Sequence, residues 1–180
     1  MERLISMTLG VVLERRELNN RWQQWSWRPV AVIPGAAPIE RRKELRSGEG
    51  WVQYHAATLP LALHRKETLA YRTNLANRQP VVYVVARGVD DDLAGDDLRP
   101  ILVTASPFEA QDYLDADDLV EGVPMPDGVI AWVQAFIDRH HVDEPFKKRK
   151  RQRFDPDQVG FGRRPDSPGP AGKRKRHDRA

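Results

Sequence analysis

The chain has 180 residues, a net charge of +3 and no cysteine. Its length suits one domain with a core of its own, and the lack of cysteine excludes disulfides, thiolate catalysis and Cys-ligated metal sites. It has neither a secretory signal pattern nor a run of about 18 apolar residues, so we expect a cytoplasmic protein without a membrane span.

The charge is divided unevenly along the chain. Residues 145–180 hold 13 Lys and Arg against 4 Asp and Glu, whereas residues 1–144 hold 16 against 22. The basic segment is rich in Pro and Gly and poor in aliphatic residues, so burial cannot offset the entropy lost on ordering it. We therefore predict a single acidic, mainly-β domain over residues 1–144 and a disordered basic tail over residues 145–180.

The first third of the chain predicts β-structure. "ISMTLGVVLERREL" and "WSWRPVAVIPG" are expected to be strands, the second closed by Pro34-Gly35. On the second strand Trp25 and Trp27 share one face, which Ala31 and Ile33 continue. The polar segment "APIERRKELRSGEG" is expected to be a short helix or a loop.

The middle of the chain predicts a hairpin and a buried strand. "WVQYHAATLPLALHR" and "TLAYRTNLA" both alternate with period 2, so we expect two strands joined by a turn at Arg65-Lys66-Glu67. The β-branched run "PVVYVVARG" predicts a central strand buried on both faces. "DDDLAGDD" is expected to be a loop and "RPILVTA" the last strand.

Two helices are predicted after the strands. "SPFEAQDYLD" opens with Ser106, Pro107 and Glu109, a capping box with Pro at the first helical position. "PMPDGVIAWVQAFIDRHH" has apolar residues at helical spacing. The predicted fold is α+β and mainly β: a small, strongly bent antiparallel sheet or half-open barrel of about seven strands closed by a C-terminal helix.

Motifs for catalysis or metal binding are weak. In "HHVDE", His140 and His141 would point about 100° apart on a helix and could not easily share an ion. "DDDLAGDDLRPI" resembles a calcium loop but has Ala94 and Ile101 where oxygen ligands are needed. Phosphate-binding glycine loops and nucleophile motifs are missing. We therefore assign no catalytic residue, metal ligand or cofactor, and enzyme activity is the less favoured interpretation.

The basic tail is the clearest functional feature. Its dense cations could bind nucleic acid through counterion release, or an acidic protein or anionic membrane surface through charge. A solubilising tail is the alternative. The residues expected to contact a polyanion or an acidic partner are Lys147, Lys148, Arg149, Lys150, Arg151, Arg153, Lys173, Arg174, Lys175 and Arg176.

Three of the five tryptophans lie within six residues, at Trp22, Trp25 and Trp27. Rings so close together favour the nucleus of a β core, because an indole buries a large apolar area. An exposed platform for a partner peptide and a base-stacking site are the alternatives. Trp22 follows a turn-prone Asn-Asn pair, so we expect it to be the most exposed ring. The candidate binding group is Trp22, Arg21 and Arg28.

Several motifs together resemble a bacterial family called domain of unknown function 3305. They are "VVLERR" and "NRWQ", then "WRPVAVIPG", and later "YRTNL", "PVVYVVAR" and "VPMP". The resemblance covers roughly residues 5–144. It implies a setting near molybdenum-containing formate dehydrogenase genes, and some members carry a label as a molybdopterin-guanine dinucleotide biosynthesis protein.

Three functional hypotheses follow. The first is a non-enzymatic accessory module that binds a formate dehydrogenase subunit or maturation factor during biogenesis of that enzyme. The second is a nucleic-acid-associated regulator that binds through the tail. The third is a protein that handles or helps to make the molybdopterin-guanine dinucleotide cofactor.

Overall fold

The computed structural model describes residues 5–19, 21, 24–88, 98–114 and 118–142. The predicted tail and the predicted loop at residues 90–97 lie outside these ranges. The elements in chain order are β1 (Ile5–Glu17), β2 (Trp25–Pro34), β3 (Lys43–Gly48), β4 (Trp51–Leu63), α1 (Thr68–Leu75), β5 (Val81–Gly88), β6 (Leu98–Thr104), α2 (Pro107–Leu114), β7 (Leu119–Pro124) and α3 (Asp127–His140).

The strands form two antiparallel sheets, a four-stranded one with the order β2-β1-β4-β3 and a three-stranded one with the order β6-β5-β7. The predicted class is confirmed: the fold is mainly β, antiparallel and ends in a C-terminal helix. No helix among the described residues is both long and apolar enough to cross a membrane.

One hydrophobic cluster joins both sheets and α3. Leu9, Val11 and Leu13 extend into it from β1, because alternate residues of a strand share a face. The predicted central strand is confirmed, since β5 lies between β6 and β7 and buries both Val84 and Val85. The predicted stripe of α3 is also buried, apart from the partly buried Ile130: Val129, Val133, Phe136 and Ile137.

The segment "TLAYRTNLA" is a helix, so the predicted hairpin with β4 is wrong. A 3-10 turn at Arg65–Glu67 leads directly into α1. The buried positions Thr68, Tyr71 and Asn74 are three residues apart, which is helical spacing, whereas the apolar Leu69 is 60% exposed. The period-2 spacing of apolar residues predicted a strand wrongly, because two of the buried residues, Thr68 and Asn74, are polar.

Two further strands were not predicted. β3 lies in the segment expected to be a helix or loop, and all six of its residues are exposed, so it has no apolar pattern to detect. Its charged residues and a register shift between Glu44 and Arg46 are features that protect a sheet edge. β7 follows "RPILVTA", which is therefore not the last strand; it pairs with β5 and fully buries only Val123.

Two of the local signals, the Pro34-Gly35 turn and the Ser106 cap, are confirmed in part or in full. β2 ends at Pro34 and is followed by Gly35, whose φ of 68° is readily adopted only by glycine. The backbone N–H of Glu109 donates to Ser106 Oγ at 3.3 Å, which is one half of the capping box predicted for α2. The other half is not formed, because the backbone N–H of Ser106 donates to Thr104 Oγ1 at 3.0 Å instead of to Glu109. The Ser106 hydroxyl in turn donates to Glu67 Oε2 at 2.9 Å and so ties α2 to the turn before α1.

A candidate binding surface on the four-stranded sheet

The pairing of β1 with each of its two neighbouring strands contains a one-residue bulge, and both bulges lie beside Val12. The pairing with β2 changes register between Val12 and Leu13, and the pairing with β4 changes between Val11 and Val12. The extra residue is Val30 in β2 and Ala56 in β4. Directly opposed residues of an antiparallel pair point to the same face of the sheet. Beyond its bulge, each of the strands β2 and β4 therefore turns to one face the residues that regular alternation would place on the other.

The bulges decide which side chains join Arg15. We call the face of the four-stranded sheet that carries Leu9, Val11 and Leu13 the inner face, and the opposite one the outer face. With the bulges in place Trp27 opposes Arg15, and Tyr54 opposes Leu13. A regular ladder of this sequence would put Arg28 and Gln53 opposite Arg15 instead.

The same bulge corrects the predicted face of β2. Ala31 and Ile33 do not continue the face of the two tryptophans, because they lie beyond Val30 and point to the outer face. Ile33 is accordingly 37% exposed, while Val32 lies in the core. The predicted alternation was correct only up to the bulge.

The inner face ends in a group of rings and guanidinium groups. Trp27 and Tyr54 have their centroids 5.7 Å apart. The Arg15 guanidinium carbon lies 4.3 Å from the Trp25 ring centroid, and that of Arg42 lies 4.5 Å from the Trp27 centroid. All five residues are partly buried. We call Arg15, Trp25, Trp27, Arg42 and Tyr54 the aromatic–arginine cluster.

Cation–π contacts hold the two arginines of the cluster in place. Each such contact is worth about 0.5–1 kcal/mol near a surface and more where water is excluded. Arg42 is also fixed by its Nη2, which donates to the carbonyl of Leu98 at 2.9 Å and so connects the cluster to the start of β6. The rings and guanidinium groups are therefore ordered by one another before anything binds.

Two cations of the outer face, Arg16 and Arg28, share the carboxylate of Glu14. The carboxylate of Glu14, which is 5% exposed, accepts hydrogen bonds from Gln53 Nε2 at 2.8 Å and Arg28 Nη2 at 3.1 Å, and also from Arg16. Burial alone would raise the pKa of Glu14, but these hydrogen bonds outweigh it and lower the pKa below its ordinary value. Gln53 Oε1 accepts from Arg46 at 2.7 Å, which completes a row across four strands.

The predicted binding group is not brought together with these rings. Arg28 lies on the outer face in an ion pair with Glu14, and Arg21 is exposed. Trp22 and the basic residues of the tail lie outside the described residues. Sequence patterns missed Arg15, Arg42 and Tyr54, because their meeting depends on strand pairing and on the bulges.

The two histidines at the end of α3 face different neighbours. The ring of His140 lies 4.7 Å from that of Phe136, whereas His141 Nδ1 is 3.0 Å from Thr68 Oγ1. Within the described ranges no group of three or more His, Asp or Glu side chains is arranged to hold a metal ion. Asp143 and Glu144, the other members of that motif, lie outside those ranges.

A cleft of about 490 Å³ lies between β4 and β6. Arg87 and Arg99 supply its charge and Leu59 and Ile101 its apolar surface. Arg87 makes two hydrogen bonds of 2.7 Å to the buried carboxylate of Asp118. The hydrogen bonds from Arg87 lower the pKa of Asp118 below its ordinary value of 3.8, although burial acts in the opposite direction.

Charge also distinguishes the two halves of the domain. Residues 1–63, which include the four strands of the larger sheet, hold 9 Lys and Arg against 6 Asp and Glu. Residues 64–144 hold 7 against 16. The acidity predicted for the whole domain therefore resides in its second half. The aromatic–arginine cluster lies on the basic half.

Comparison with known proteins identifies the family. The chain matches the model of the family described as "Protein of unknown function (DUF3305)" over residues 8–150, which is most of its length. The protein therefore belongs to that family, in agreement with the motifs in its sequence. Neither the curated proteins nor the solved structures contain a match.

Proposed function

We propose that this protein is a non-enzymatic accessory protein that binds another protein through the aromatic–arginine cluster. The observation that carries the proposal is that Trp25, Trp27, Tyr54 and two arginines form one partly exposed patch. Trp, Tyr and Arg are the residues that contribute most to binding at protein interfaces. The proposed setting is the biogenesis or maturation of a molybdenum-dependent formate dehydrogenase, which rests on the family resemblance.

The side chains of the aromatic–arginine cluster are already held in place by one another, which favours binding. Side chains that must be immobilised on association cost about 0.5–1.5 kcal/mol each. In the cluster the long side chain of Arg15 already lies on the ring of Trp25, and Arg42 on that of Trp27. A partner would meet a surface whose conformational entropy is already reduced.

A matched pair of tryptophan variants tests the proposal in the native host. Trp25 belongs to the cluster and is not packed on the hydrophobic core, so Trp25→Ala should leave the fold intact. Trp51 is also partly buried but lies beside Arg46 and Gly48 on the outer face, which makes Trp51→Ala the control.

Tagged full-length protein should retain a formate dehydrogenase subunit or maturation factor at low salt. We expect Trp25→Ala to weaken that binding about 30-fold, since hot-spot truncations cost about 2 kcal/mol, and Trp51→Ala to leave it unchanged. Equal capture by the two variants would contradict the cluster as the binding surface. A specific partner unrelated to molybdenum enzymes would keep the binding mode and reject the setting.

A further inference from the structure

Arg15 differs from its neighbours in having no acidic partner among the described residues. Arg16 and Arg28 share the carboxylate of Glu14, and Arg87 is paired with Asp118. Arg15 is surrounded by rings, and its buried Nε makes no hydrogen bond with a described residue. The rings offset part of its charge, but a buried N–H without a hydrogen-bond acceptor is costly.

A second cation lies close to Arg15. The guanidinium carbons of Arg15 and Arg42 lie 5.7 and 4.5 Å from the Trp27 centroid, and 5.8 and 5.9 Å from that of Tyr54. The two groups are thus separated by at most about 10 Å, roughly one Debye length at 0.1 M salt. An anion bound at this place would be attracted by both.

The geometry favours a carboxylate over a nucleobase. A base would need an open ring face to stack on, and a guanidinium group already covers one face of Trp25 and one face of Trp27. A planar carboxylate instead matches the fork of an arginine and can accept two hydrogen bonds from it.

Charge limits the length of the anion. Residues 64–144 hold 7 Lys and Arg against 16 Asp and Glu, so a long phosphate polymer would be repelled wherever it extended beyond the four-stranded sheet. A short acidic segment of a protein carries few charges and would meet only the basic sheet. The cluster is also distinct from the cleft beside Arg87, and none of its residues lines that cleft.

We infer that Arg15, supported by Arg42, binds carboxylate side chains of an acidic segment in the partner protein. This inference rests on the proposed protein-binding function and specifies the chemistry of the partner. Trp25 and Trp27 hold the guanidinium groups in position, and the carboxylates supply the counter-ions that Arg15 lacks among the described residues.

Adjacent arginines on opposite faces of β1 provide the test. Arg15→Gln and Arg16→Gln each remove one positive charge from the full-length protein, so the attraction of the basic tail is the same in both. The probe is a hexaglutamate peptide at physiological ionic strength, about 0.15 M, with hexaglutamine as the uncharged control. Binding is followed by tryptophan fluorescence.

We expect hexaglutamate to bind Arg15→Gln about tenfold more weakly than the unchanged protein, the size expected for a charge-assisted hydrogen bond. Arg16→Gln should bind as the unchanged protein does. Arg15→Lys should be intermediate, because it keeps the charge and loses the planar fork. Near-ultraviolet circular dichroism checks folding; if Arg15→Gln does not fold, the comparison of Arg15→Lys with the unchanged protein decides.

Two results of the peptide-binding experiment would overturn the inference. One is equal affinity of hexaglutamate for Arg15→Gln and Arg16→Gln. The other is dependence on Arg15 for an oligothymidylate but not for hexaglutamate, which would make the cluster a nucleic-acid site.

Capture from the native host separates this inference from the proposed function. Capture that requires Trp25 but not Arg15 would retain the protein-binding function and reject carboxylate recognition. Arg15-dependent binding of hexaglutamate without capture of any formate dehydrogenase component would retain the chemistry and reject the setting.

Discussion

The side-chain amide of Asn74 forms two hydrogen bonds with the backbone of Val81, one to its N–H and one to its carbonyl, as a paired strand would. Its side-chain Oδ1 accepts the Val81 N–H at 3.1 Å, and its Nδ2 donates to the Val81 carbonyl at 2.7 Å. The same Nδ2 donates to the carbonyl of Ala105 at 2.8 Å. Asn74 is 1% exposed and thus joins α1 to the start of β5 and to the end of β6.

Replacing Asn74 should therefore be strongly destabilising. Asn74→Ala leaves the partly buried N–H of Val81 and two carbonyls without their partners, and we expect a loss of about 3 kcal/mol in the free energy of unfolding. Chemical denaturation measures it. Asn77→Ala, at an exposed position just after the same helix, should change stability by less than about 0.5 kcal/mol. Similar losses for both variants would contradict the role given to Asn74.

Asp118 should make stability depend on acidity. Its pKa is lowered in the folded protein by the hydrogen bonds from Arg87, so its contribution is present above the ordinary value and lost as the pH falls through the folded pKa. At pH 7 we expect Asp118→Asn to be less stable by about 1 kcal/mol, as for a partly exposed ion pair. The difference should shrink below about pH 4. The exposed Asp112 provides the control, and an Asp118→Asn effect that is constant from pH 7 to pH 3 would exclude this linkage.

Gly10 should tolerate no side chain. A Cβ there would lie 2.7 Å from His55 Nε2 and 2.8 Å from Ala36 Cβ. His55 Nε2 donates to Thr58 Oγ1, because that hydroxyl itself donates to the carbonyl of Ala37. Gly10→Ala must displace this hydrogen-bonded group and should cost about 1–3 kcal/mol.

Gly128 is the matched control for Gly10. It lies in α3, and a Cβ added there would have no described neighbour within 4 Å outside its own helix turn. Gly128→Ala should stabilise the protein by about 0.5–1 kcal/mol, since alanine favours the helix. The midpoints of thermal and denaturant unfolding should fall for Gly10→Ala and rise for Gly128→Ala. Shifts of the same sign would show that close packing at Gly10 is not decisive.

The hypothesis of nucleic-acid binding through the tail is tested by truncation. Removing residues 145–180 takes away 13 Lys and Arg and 4 Asp and Glu. If the tail binds DNA or RNA, affinity should fall steeply with salt through counterion release and disappear in the truncated chain. Binding that survives truncation, or full-length protein that ignores polyanions at low salt, would refute the hypothesis.

Elements whose burial follows apolar spacing were predictable from sequence. β5 has consecutive β-branched residues, which predict a strand buried on both faces. α3 has apolar residues at helical spacing, which predict the one face that is buried. α1 was misread because hydrogen bonding, not hydrophobicity, buries Asn74. β3 was missed because an exposed edge strand has no reason to alternate.

The candidate site was only partly predictable. The pairing of Trp25 with Trp27 on one face follows from strand alternation within three residues. The presence of Arg15 and Tyr54 beside them depends on which residues of β1 and β4 face each other, and a register change cannot be read from one strand alone.

The bulges at Val30 and Ala56 also decide where the chain can change its length. Loss of either residue would turn the bulge into a regular ladder and leave Trp27 opposite Arg15 and Tyr54 opposite Leu13. Family members that lack the residue corresponding to Val30 or to Ala56 would therefore have the same rings on the same face of the sheet. Length variation at Val30 or Ala56 is therefore a way for this sheet to change in sequence while the aromatic–arginine cluster stays on one face.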